Sequence, residues 1–544
     1  MATLASTVTS SFNSMSAALL RPRTEGPVRF GAWTTGAVIA LAVIAGAWVR
    51  LSTVGNDALF MDELYIWATT RMSAWRILTT PFDVHPPLFF LVAKASTVFG
   101  DSETALRAPS VIAGIATVGL VFQFARKYCG TTASAFGAMV LLLSYKHIVH
   151  SSTARNYALL LLLAFAATWV LVVLVRRLAT DEKRTGALAL LAAGYSVLAL
   201  GTLMTHTAGA IYLLVLNGLV LLGFGLERPK GSFRLAVCLA ALNLVPYCIF
   251  AVWLSRAQAT LTDYLTDYGW LQAFSVIDAA KIFAATLGPG RIPVGGGVSE
   301  FILALVVIVV LVGVVVSIVR TPSEYWVPTV AMTIGLPLAL YALTPLQTIY
   351  MERTILFIVP GAALAVAALV GWVRWKAVSL AIGGVLTAAY LSSAASYVMR
   401  DASRISYGMQ PIQDFRAAMK AVDAEVAQGA GLLTCETFSE PALRYYGKQA
   451  PYANITMTSA RDFGMRTGEW IDYFGRPAPE RDATKWIQPA PTAPDRYQRL
   501  VYLDVSNFCL RQDSGIFDAL QSRGFAVTGV TRLQGINVYA LSRR

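Results

Sequence analysis

The sequence predicts a polytopic α-helical membrane protein of about eleven transmembrane helices, followed by a small C-terminal α/β domain. Of its 544 residues, 56% are hydrophobic and only 14% are charged, whereas soluble domains carry about 25% charged residues. The mean hydropathy is +0.58. Long apolar runs recur up to residue 399, and from residue 400 the composition changes to that of a soluble domain.

The formal net charge of +13 does not indicate a nucleic-acid partner. In membrane proteins an excess of Lys and Arg marks the cytoplasmic loops, and much of the excess falls in such loops here. The five cysteines contain no CxxC pair, which disfavours a metal or redox framework. The first apolar run lacks a small-residue cleavage site, so it predicts an uncleaved anchor.

Runs of about 18 or more apolar residues predict membrane spans. The predicted spans are 33–52, 108–127, 132–150, 157–177, 186–204, 208–226, 235–254, 301–319, 327–345, 354–373 and 377–397. The apolar segment 86–99 is too short to cross and predicts a juxtamembrane helix.

The basic loops set the orientation of these spans. Alternation puts four groups on one side, namely Arg176/Arg177/Lys183/Arg184, Arg228/Lys230/Arg234, Arg320 and Arg374/Lys376. We therefore predict a cytoplasmic N-terminal tail (1–30), a transmembrane domain (31–399) and an external C-terminal domain (400–544).

The C-terminal domain has the pattern of a small α/β fold. "PIQDFRAAMKAVDAEVAQGAGLLTCETF" (411–438) predicts an amphipathic helix, a glycine turn and a buried strand, and "RLVYLDVSNF" (499–508) predicts another strand. Residues 515–544 predict a helix, a strand, a turn and a strand. Cys435 and Cys509 lie in this domain, where an oxidising compartment permits a disulfide. The sequence gives no distance between them, so their pairing stays open.

With this topology the chemically interesting side chains fall on the external side. The span centres are almost free of charge, which disfavours an ion-coupled transporter because such proteins place ionisable groups near the bilayer midplane. All four histidines of the chain are external. The external residues singled out are Asp62, Glu63, His85, His147, His150, Arg155, Tyr157, His206 and Arg353.

The stretch "FMDELYIWATTR" (60–71) contains adjacent carboxylates, Asp62 and Glu63, among apolar residues. An enzyme that joins a lipid-phosphate-activated group to an acceptor needs a base, cations for the leaving phosphate and exclusion of water. Carboxylates and arginines supply the first two. A helix N-cap or a solvated helix face is the alternative interpretation of the pair, and the pattern alone leaves both open.

Five stretches in this order carry a resemblance to a known family. They are "DELYIWA" (62–68), "HPPLFFLV" (85–92), "FGDSETALRAPSVIAG" (99–114), "ARNYALLLL" (154–162) and "ERTILFIVPGAALAVA" (352–367). Over residues 30–370 the chain resembles the GT-C fold glycosyltransferases that use lipid-phosphate sugars. More narrowly, it resembles bacterial relatives of the protein O-mannosyltransferases and of the aminoarabinose transferase that acts on lipid A. The C-terminal domain resembles theirs more loosely.

The resemblance implies a GT-C-like fold with periplasmic juxtamembrane helices. It also implies an inverting transfer from a polyprenyl-phosphate sugar to an acceptor hydroxyl of a lipid, glycan or protein. The reaction would take place on the periplasmic face of the inner membrane.

By motif match, Asp62 is the expected catalytic base. Glu63 is its partner, which either orients the site or helps to hold a divalent metal ion together with Asp62. Arg353 and Arg155 are the expected contacts of the donor phosphate. The expected substrate contacts are His85, Tyr157, His206 and Tyr65, although His206 equally suits the capping of a span end.

Other interpretations stay open. A lipid-linked-sugar flippase would use the same cationic cavity, and a scaffold with a degenerate site would keep the fold without catalysis. His147 and His150 lie on one helix face without an evident third metal ligand, so we predict that they pack at the interface. Arg107 is predicted to pair with Asp101 or Glu103.

Overall fold

The computed structural model describes residues 26–544 except 56, 82, 180–184, 228–230, 268–274, 290–296, 346–348, 400–412, 435–438, 448–457, 460–496 and 506–514. Within these residues, nine helices are long and apolar enough to cross a membrane, or ten when a bent pair of helices counts as one span. The chain is therefore a multi-pass membrane protein, as predicted. Cys435, Cys509 and most of the N-terminal tail lie outside the described residues.

The helices follow one another closely along the chain. They begin with α1 (Ala32–Thr53), α2 (Met61–Thr70), α3 (Ala74–Thr79), α4 (Leu88–Ser96), α5 (Glu103–Cys129), α6 (Thr131–Leu143), α7 (Tyr145–Ser152) and α8 (Tyr157–Ala179). They continue with α9 (Thr185–Leu203), α10 (Ala208–Glu227), α11 (Ser232–Asp267), α12 (Val276–Leu287), α13 (Val298–Arg320), α14 (Ser323–Val330), α15 (Leu336–Leu343), α16 (Ile358–Trp372) and α17 (Lys376–Val398).

The chain forms two compact units. The first comprises Met1–Thr53, Thr80–Phe89 and Arg107–Gly408, and the second comprises Val54–Thr79, Phe90–Leu106 and Met409–Arg544. The segment that carries Asp62 thus belongs to the same unit as the C-terminal α/β fold. The sequence had assigned that segment to the transmembrane domain.

Helix α16 forms the core of the first unit. Every residue of this 15-residue helix is buried, and it packs against α6 and α13. It contains only apolar residues and glycine, and a helix that is apolar all round is stable only where other helices surround it. The helix is shorter than the predicted span 354–373. It begins only at Ile358, because residues 351–357 form turns.

Two other predicted spans are interrupted. The span predicted over 132–150 breaks into α6 and α7, which meet at 59° because Ser144 is extended (ψ 122°). The span predicted over 327–345 consists of α14, a π-helical segment (Ala331–Gly335) and α15. Such interruptions are common near functional sites.

The C-terminal part of the second unit contains the predicted helices and strands in the predicted order, together with one helix and one short strand that the sequence did not predict. Helix α18 (Phe415–Val426) precedes β1 (Gly431–Thr434), α19 (Ser439–Tyr446), β2 (Thr458–Ser459), β3 (Arg499–Val505), α20 (Gly515–Ser522), β4 (Phe525–Leu533) and β5 (Ile536–Arg543). The sheet order is β2-β1-β3-β5-β4. Strand β1 runs parallel to β2 and β3, and β5 runs antiparallel to β3 and β4.

Apolar side chains of the sheet pack into a separate core that includes Leu433, Leu500, Leu520 and Phe525. In the register Tyr502 of β3 faces Tyr539 of β5, and their rings stack at 5.9 Å. The domain therefore has an apolar core of its own. This agrees with the change from long apolar runs to the composition of a soluble domain at residue 400.

Candidate functional site

Four aromatic rings of the first unit contact one another in a row, although they come from distant parts of the sequence. The ring centroids of His150 and Tyr157 lie 4.8 Å apart, those of Tyr157 and His206 5.6 Å apart, and those of His206 and His85 4.7 Å apart. Together with Arg155 and Arg353 we call these residues the histidine–arginine cluster.

The segment of His85 is held by its own turn and by a neighbouring helix end. The carboxylate of Asp83 accepts a hydrogen bond of 2.7 Å from the His85 N–H, a local turn that Asp side chains favour. Two prolines follow, and the N–H of Leu88 donates to the carbonyl of Met204 at 2.9 Å. This bond joins the start of α4 to the turn that contains His206.

The turn between α9 and α10 fixes His206 from two sides. Its Nδ1 accepts a hydrogen bond of 3.0 Å from the N–H of Ala208, so His206 satisfies a donor at the start of α10. The side-chain amide of Asn156 donates to the carbonyl of Thr205 at 3.0 Å. Asn156 stands between Arg155 and Tyr157, so this bond joins the two turns of the cluster. His206 thus both caps a helix and takes part in the cluster.

The two arginines give the cluster its positive charge. Arg155 is 9% exposed, and its Cζ lies 5.8 Å from the centre of the Tyr157 ring. Arg353 lies in the turn before α16, where its Nε donates to Met351 Sδ at 2.9 Å. A planar guanidinium suits a phosphate because it can donate two parallel hydrogen bonds.

The surroundings keep two of the histidines neutral. Burial, together with the charges of Arg353 and Arg155, lowers the pKa of His206 to about 3. Burial likewise lowers the pKa of His85 well below its usual value, assisted by His206, Arg155 and Arg353. A backbone N–H can only donate, so neutral His206 must carry its proton on Nε2.

Several polar atoms of the cluster are buried without a partner. The Nδ1 of His85, the Nε2 of His150 and the hydroxyl of Tyr157 have no hydrogen-bond partner among the described residues. An unsatisfied buried polar atom costs about 1–3 kcal/mol, which a native protein rarely tolerates without a reason. A polar ligand in the cluster would remove this cost.

The cluster is bordered by two polar pairs, each with at least one buried member. Lys146, 1% exposed, forms an ion pair with Glu352. The guanidinium of Arg50 lies 3.1 Å from Nδ1 of His147. The two histidines predicted to share one helix face therefore have different partners, because His150 contacts Tyr157 while His147 meets Arg50.

The Asp62 segment belongs to the second unit. Asp62 and Glu63 are the second and third residues of α2, where the positive end of the helix dipole favours negative charge. Glu63 is fully buried, and its Oε2 accepts a hydrogen bond of 3.3 Å from the N–H of Phe60. Asp62 is half-buried, as is Tyr65, whose ring packs edge-on against Phe90 at 6.3 Å.

The acidic residues predicted to pair with Arg107 have other partners. Asp101 forms an ion pair with Arg71, and Glu103 forms one with Arg416 of α18. Arg107 is nevertheless 2% exposed, so it is a buried residue of α5. The "GDSE" stretch thus contributes to ionic contacts inside the second unit.

The part of the chain that the structure describes contains no group of three or more His, Cys, Asp or Glu residues arranged to hold a metal ion. A cavity of about 410 Å³ lies between α10 and α11, lined by Asn217, Asn243 and Tyr247 among apolar residues. It shares no residue with the histidine–arginine cluster. Its two asparagines bond with each other at 3.3 Å, which is typical of polar contacts between transmembrane helices.

The structure therefore brings five predicted residues together in the first unit, namely His85, Arg155, Tyr157, His206 and Arg353. The other three, Asp62, Glu63 and Tyr65, lie on α2 in the second unit. Sequence reasoning missed His150, Asn156 and Lys146 as members or neighbours of the cluster. The one available signal was the spacing of His150 from His147, and it does not reveal that the two side chains diverge.

Residues 84–258 match the sequence model of the dolichyl-phosphate-mannose-protein mannosyltransferase family. The matched range includes four of the five predicted cluster residues, and Arg353 lies beyond it. No protein with a curated description matches the sequence.

The fold is similar to that of solved GT-C glycosyltransferases. ArnT from Cupriavidus metallidurans bound to undecaprenyl phosphate aligns with a TM-score of 0.53 and 11% identity, over 93% of this chain and 97% of ArnT. The archaeal oligosaccharyltransferase AglB from Archaeoglobus fulgidus, in complex with an inhibitory peptide and a dolichol-phosphate, aligns with a TM-score of 0.51 and 12% identity. That alignment covers 93% of this chain and 74% of AglB. The predicted resemblance is confirmed for the fold and for the matching family segment.

Proposed function

We propose that this protein is a membrane glycosyltransferase that moves a sugar from a polyprenyl-phosphate donor to an acceptor hydroxyl with inversion. The observation that carries the proposal is the histidine–arginine cluster, in which two cationic side chains lie beside buried polar atoms of His85, His150 and Tyr157 that have no hydrogen-bond partner among the described residues. The cluster suits a phosphate. The matching family uses dolichyl-phosphate-mannose, and ArnT was solved with undecaprenyl phosphate.

In the proposed reaction Asp62 takes the proton of the acceptor hydroxyl. The oxygen then forms a bond to the anomeric carbon as the bond from that carbon to the phosphate oxygen breaks. The electron pair of the broken bond goes to the phosphate, whose growing charge Arg353 and Arg155 stabilise. Attack opposite to the leaving group inverts the anomeric configuration.

Glu63 has a positioning role in this proposal. Its carboxylate already accepts the N–H of Phe60, so it holds the helix start next to Asp62. That hydrogen bond, and the lack of a third His, Cys, Asp or Glu ligand beside the pair among the described residues, make the pair a poor match for a divalent ion. We assign no step to a metal.

The proposal extends to the compartment and the substrates. The distribution of basic loops supports a reaction on the periplasmic face of the inner membrane. His85, Tyr157, His206 and Tyr65 would contact the substrates. The acceptor would be a lipid, a glycan or a protein hydroxyl, and the sugar a hexose or a pentose.

The test is a transfer assay with the purified protein in lipid nanodiscs. A panel of undecaprenyl-phosphate hexoses and pentoses is supplied with a whole cell-envelope extract that contains lipid, glycan and protein acceptors, and mass spectrometry follows undecaprenyl phosphate and the glycosylated product. We expect one donor to give both products. If the protein binds undecaprenyl phosphate but turns over no donor of the panel, the proposed transferase activity is contradicted. Movement of intact donor across proteoliposomes would then identify a flippase.

A further inference from the structure

We infer that the C-terminal α/β domain is part of the catalytic machinery, because Gln413 and Tyr446 hold the start of the helix that carries Asp62. The inference rests on the proposed function and extends it. Every residue involved belongs to the second unit. Gln413 and Tyr446 are positioning residues, since they act through α2 rather than on the substrate.

The N-cap residue of α2 has no capping side chain. The first N–H groups of a helix have no partner inside the helix, and Ser, Thr, Asp or Asn usually accepts from them at the N-cap position. Here the N-cap residue is Phe60, whose side chain has no acceptor atom. Partners for the first amides must therefore come from elsewhere.

Side chains accept hydrogen bonds from three consecutive amides at this helix start. The N–H of Leu59 donates to the hydroxyl of Tyr446 at 2.7 Å, and the N–H of Met61 donates to Oε1 of Gln413 at 2.9 Å. The N–H of Phe60 between them donates to Glu63 of the same helix. Two of the three acceptors thus lie more than 350 residues further along the chain.

Gln413 is held by the α/β fold. It is 3% exposed, and its neighbour Asp414 donates its N–H to the carbonyl of Gln534, in the turn between β4 and β5, at 3.1 Å. Oδ1 of Asp414 also accepts the N–H of Ala417 at 3.0 Å, which caps α18. The sheet and α18 therefore fix where the amide oxygen of Gln413 lies.

Tyr446 is held on its other side by ionic contacts. Its hydroxyl lies 2.8 Å from the carboxylate of Glu103, and Glu103 also pairs with Arg416 of α18. Burial raises the pKa of Tyr446, which keeps the phenol protonated. One hydroxyl can therefore donate to Glu103 and accept from Leu59.

The far end of α2 has its own contacts. Lys94 donates to the carbonyl of Thr70 at 2.8 Å, and Trp67 packs edge-on against Tyr445 at 5.1 Å. Only the start of the helix depends on Gln413 and Tyr446. Since Asp62 directly follows Met61, loss of these two bonds would shift the carboxylate without releasing the whole helix.

The experiment compares Gln413→Ala and Tyr446→Phe with two matched controls. Gln428→Ala removes an exposed glutamine of the same domain, and Tyr445→Phe removes a hydroxyl that donates to Asp101 instead of the helix start. We expect kcat to fall about 10- to 100-fold in the test variants. The donor KM should stay within about twofold. Both controls should keep wild-type kcat.

Two further measurements separate positioning from general damage. Hydrogen–deuterium exchange of the peptide that contains residues 58–62 should accelerate in both test variants and in neither control. Gln413→Glu should restore slow exchange and turnover, because a carboxylate oxygen can still accept the N–H of Met61. If Gln413→Ala does not fold, Tyr446→Phe, which loses a single oxygen atom, decides the question.

The outcomes distinguish the two proposals. If the wild-type protein transfers no sugar, the proposed function is overturned. The hydrogen–deuterium exchange measurement would still test the hydrogen bonds at the start of α2. A wild-type protein with transfer, together with unchanged kcat and exchange in Tyr446→Phe and Gln413→Ala, would overturn the positioning role alone.

Discussion

The Nδ1 atom of His206 accepts a hydrogen bond of 3.0 Å from the N–H of Ala208, and the same ring packs on His85. One nitrogen therefore satisfies the start of α10, and the other carries the proton of the neutral ring. Protonation of Nδ1 would break the bond to Ala208. It would also add a third positive charge beside Arg155 and Arg353.

This relationship predicts a loss of stability in acid. The pKa of His206 is about 3 in the folded protein and about 6.5 in an unfolded chain. Its contribution to stability is therefore complete above pH 6.5 and is lost as the pH falls from there towards 3. In His206→Asn, whose side-chain oxygen can still accept from Ala208, we expect a smaller fall in Tm between pH 7 and 4. Equal falls in the two proteins, measured by thermal unfolding in detergent, would contradict this.

Replacement of Asp62 by Asn should abolish transfer, because an amide cannot take the acceptor proton. Loss of a general base typically costs about 10²- to 10⁴-fold in rate. The carboxylate of Asp518, exposed on α20 of the same unit, offers a matched control as Asp518→Asn. Binding of undecaprenyl phosphate should be unchanged in both variants. Wild-type turnover by Asp62→Asn would disprove the base assignment.

Arginine-to-lysine replacement in the cluster should weaken phosphate binding while it keeps the charge. Lysine cannot donate two parallel hydrogen bonds, and one bond to a charged group is worth about 1.5–3 kcal/mol. Arg353→Lys and Arg155→Lys should each raise the Kd for undecaprenyl phosphate about tenfold or more. Arg126→Lys, an exposed change on α5, serves as the control and should bind as the wild type does.

The ion pair of buried Lys146 with half-buried Glu352 should show strong coupling. Removal of one partner from a buried pair leaves the other charge uncompensated, which costs about 3–5 kcal/mol. Lys146 is 1% and Glu352 20% exposed on their side chains, so Glu352→Gln and Lys146→Met should each lower Tm substantially. The double variant Lys146→Met with Glu352→Gln should recover much of the loss. Additive effects in this cycle would show that the pair contributes little.

Close packing of α6 on α16 predicts a steric effect at Gly137. A Cβ at this position would lie 2.2 Å from the carbonyl oxygen of Ala363, so Gly137→Ala must push the two helices apart. Gly194 on α9 has no atom within 4 Å of a Cβ, and Ala there should be neutral or stabilise by about 0.5–1 kcal/mol. We expect Gly137→Ala to lower Tm and Gly194→Ala to leave it unchanged or raise it, and a Gly137→Ala protein as stable as the wild type would argue against this packing.

The sequence by itself determined the membrane class, the course of most helices and the order of elements in the α/β domain. These follow from local rules, because span length, hydropathy and strand periodicity are properties of short stretches. Its motifs also indicated Asp62 and five residues of the cluster, but not His150. It could not show that α16 would be shortened and wholly buried, since that depends on the helices around it.

Only the tertiary structure decided how those residues are grouped. It joined His85, Tyr157 and His206 with His150, and it separated His150 from His147, which the helical spacing had paired. It also placed the acceptors for the start of α2 on Gln413 and Tyr446, far along the chain. Hydrogen bonds between residues hundreds of positions apart leave no local pattern, so the link between Asp62 and the α/β domain is visible only in the folded protein.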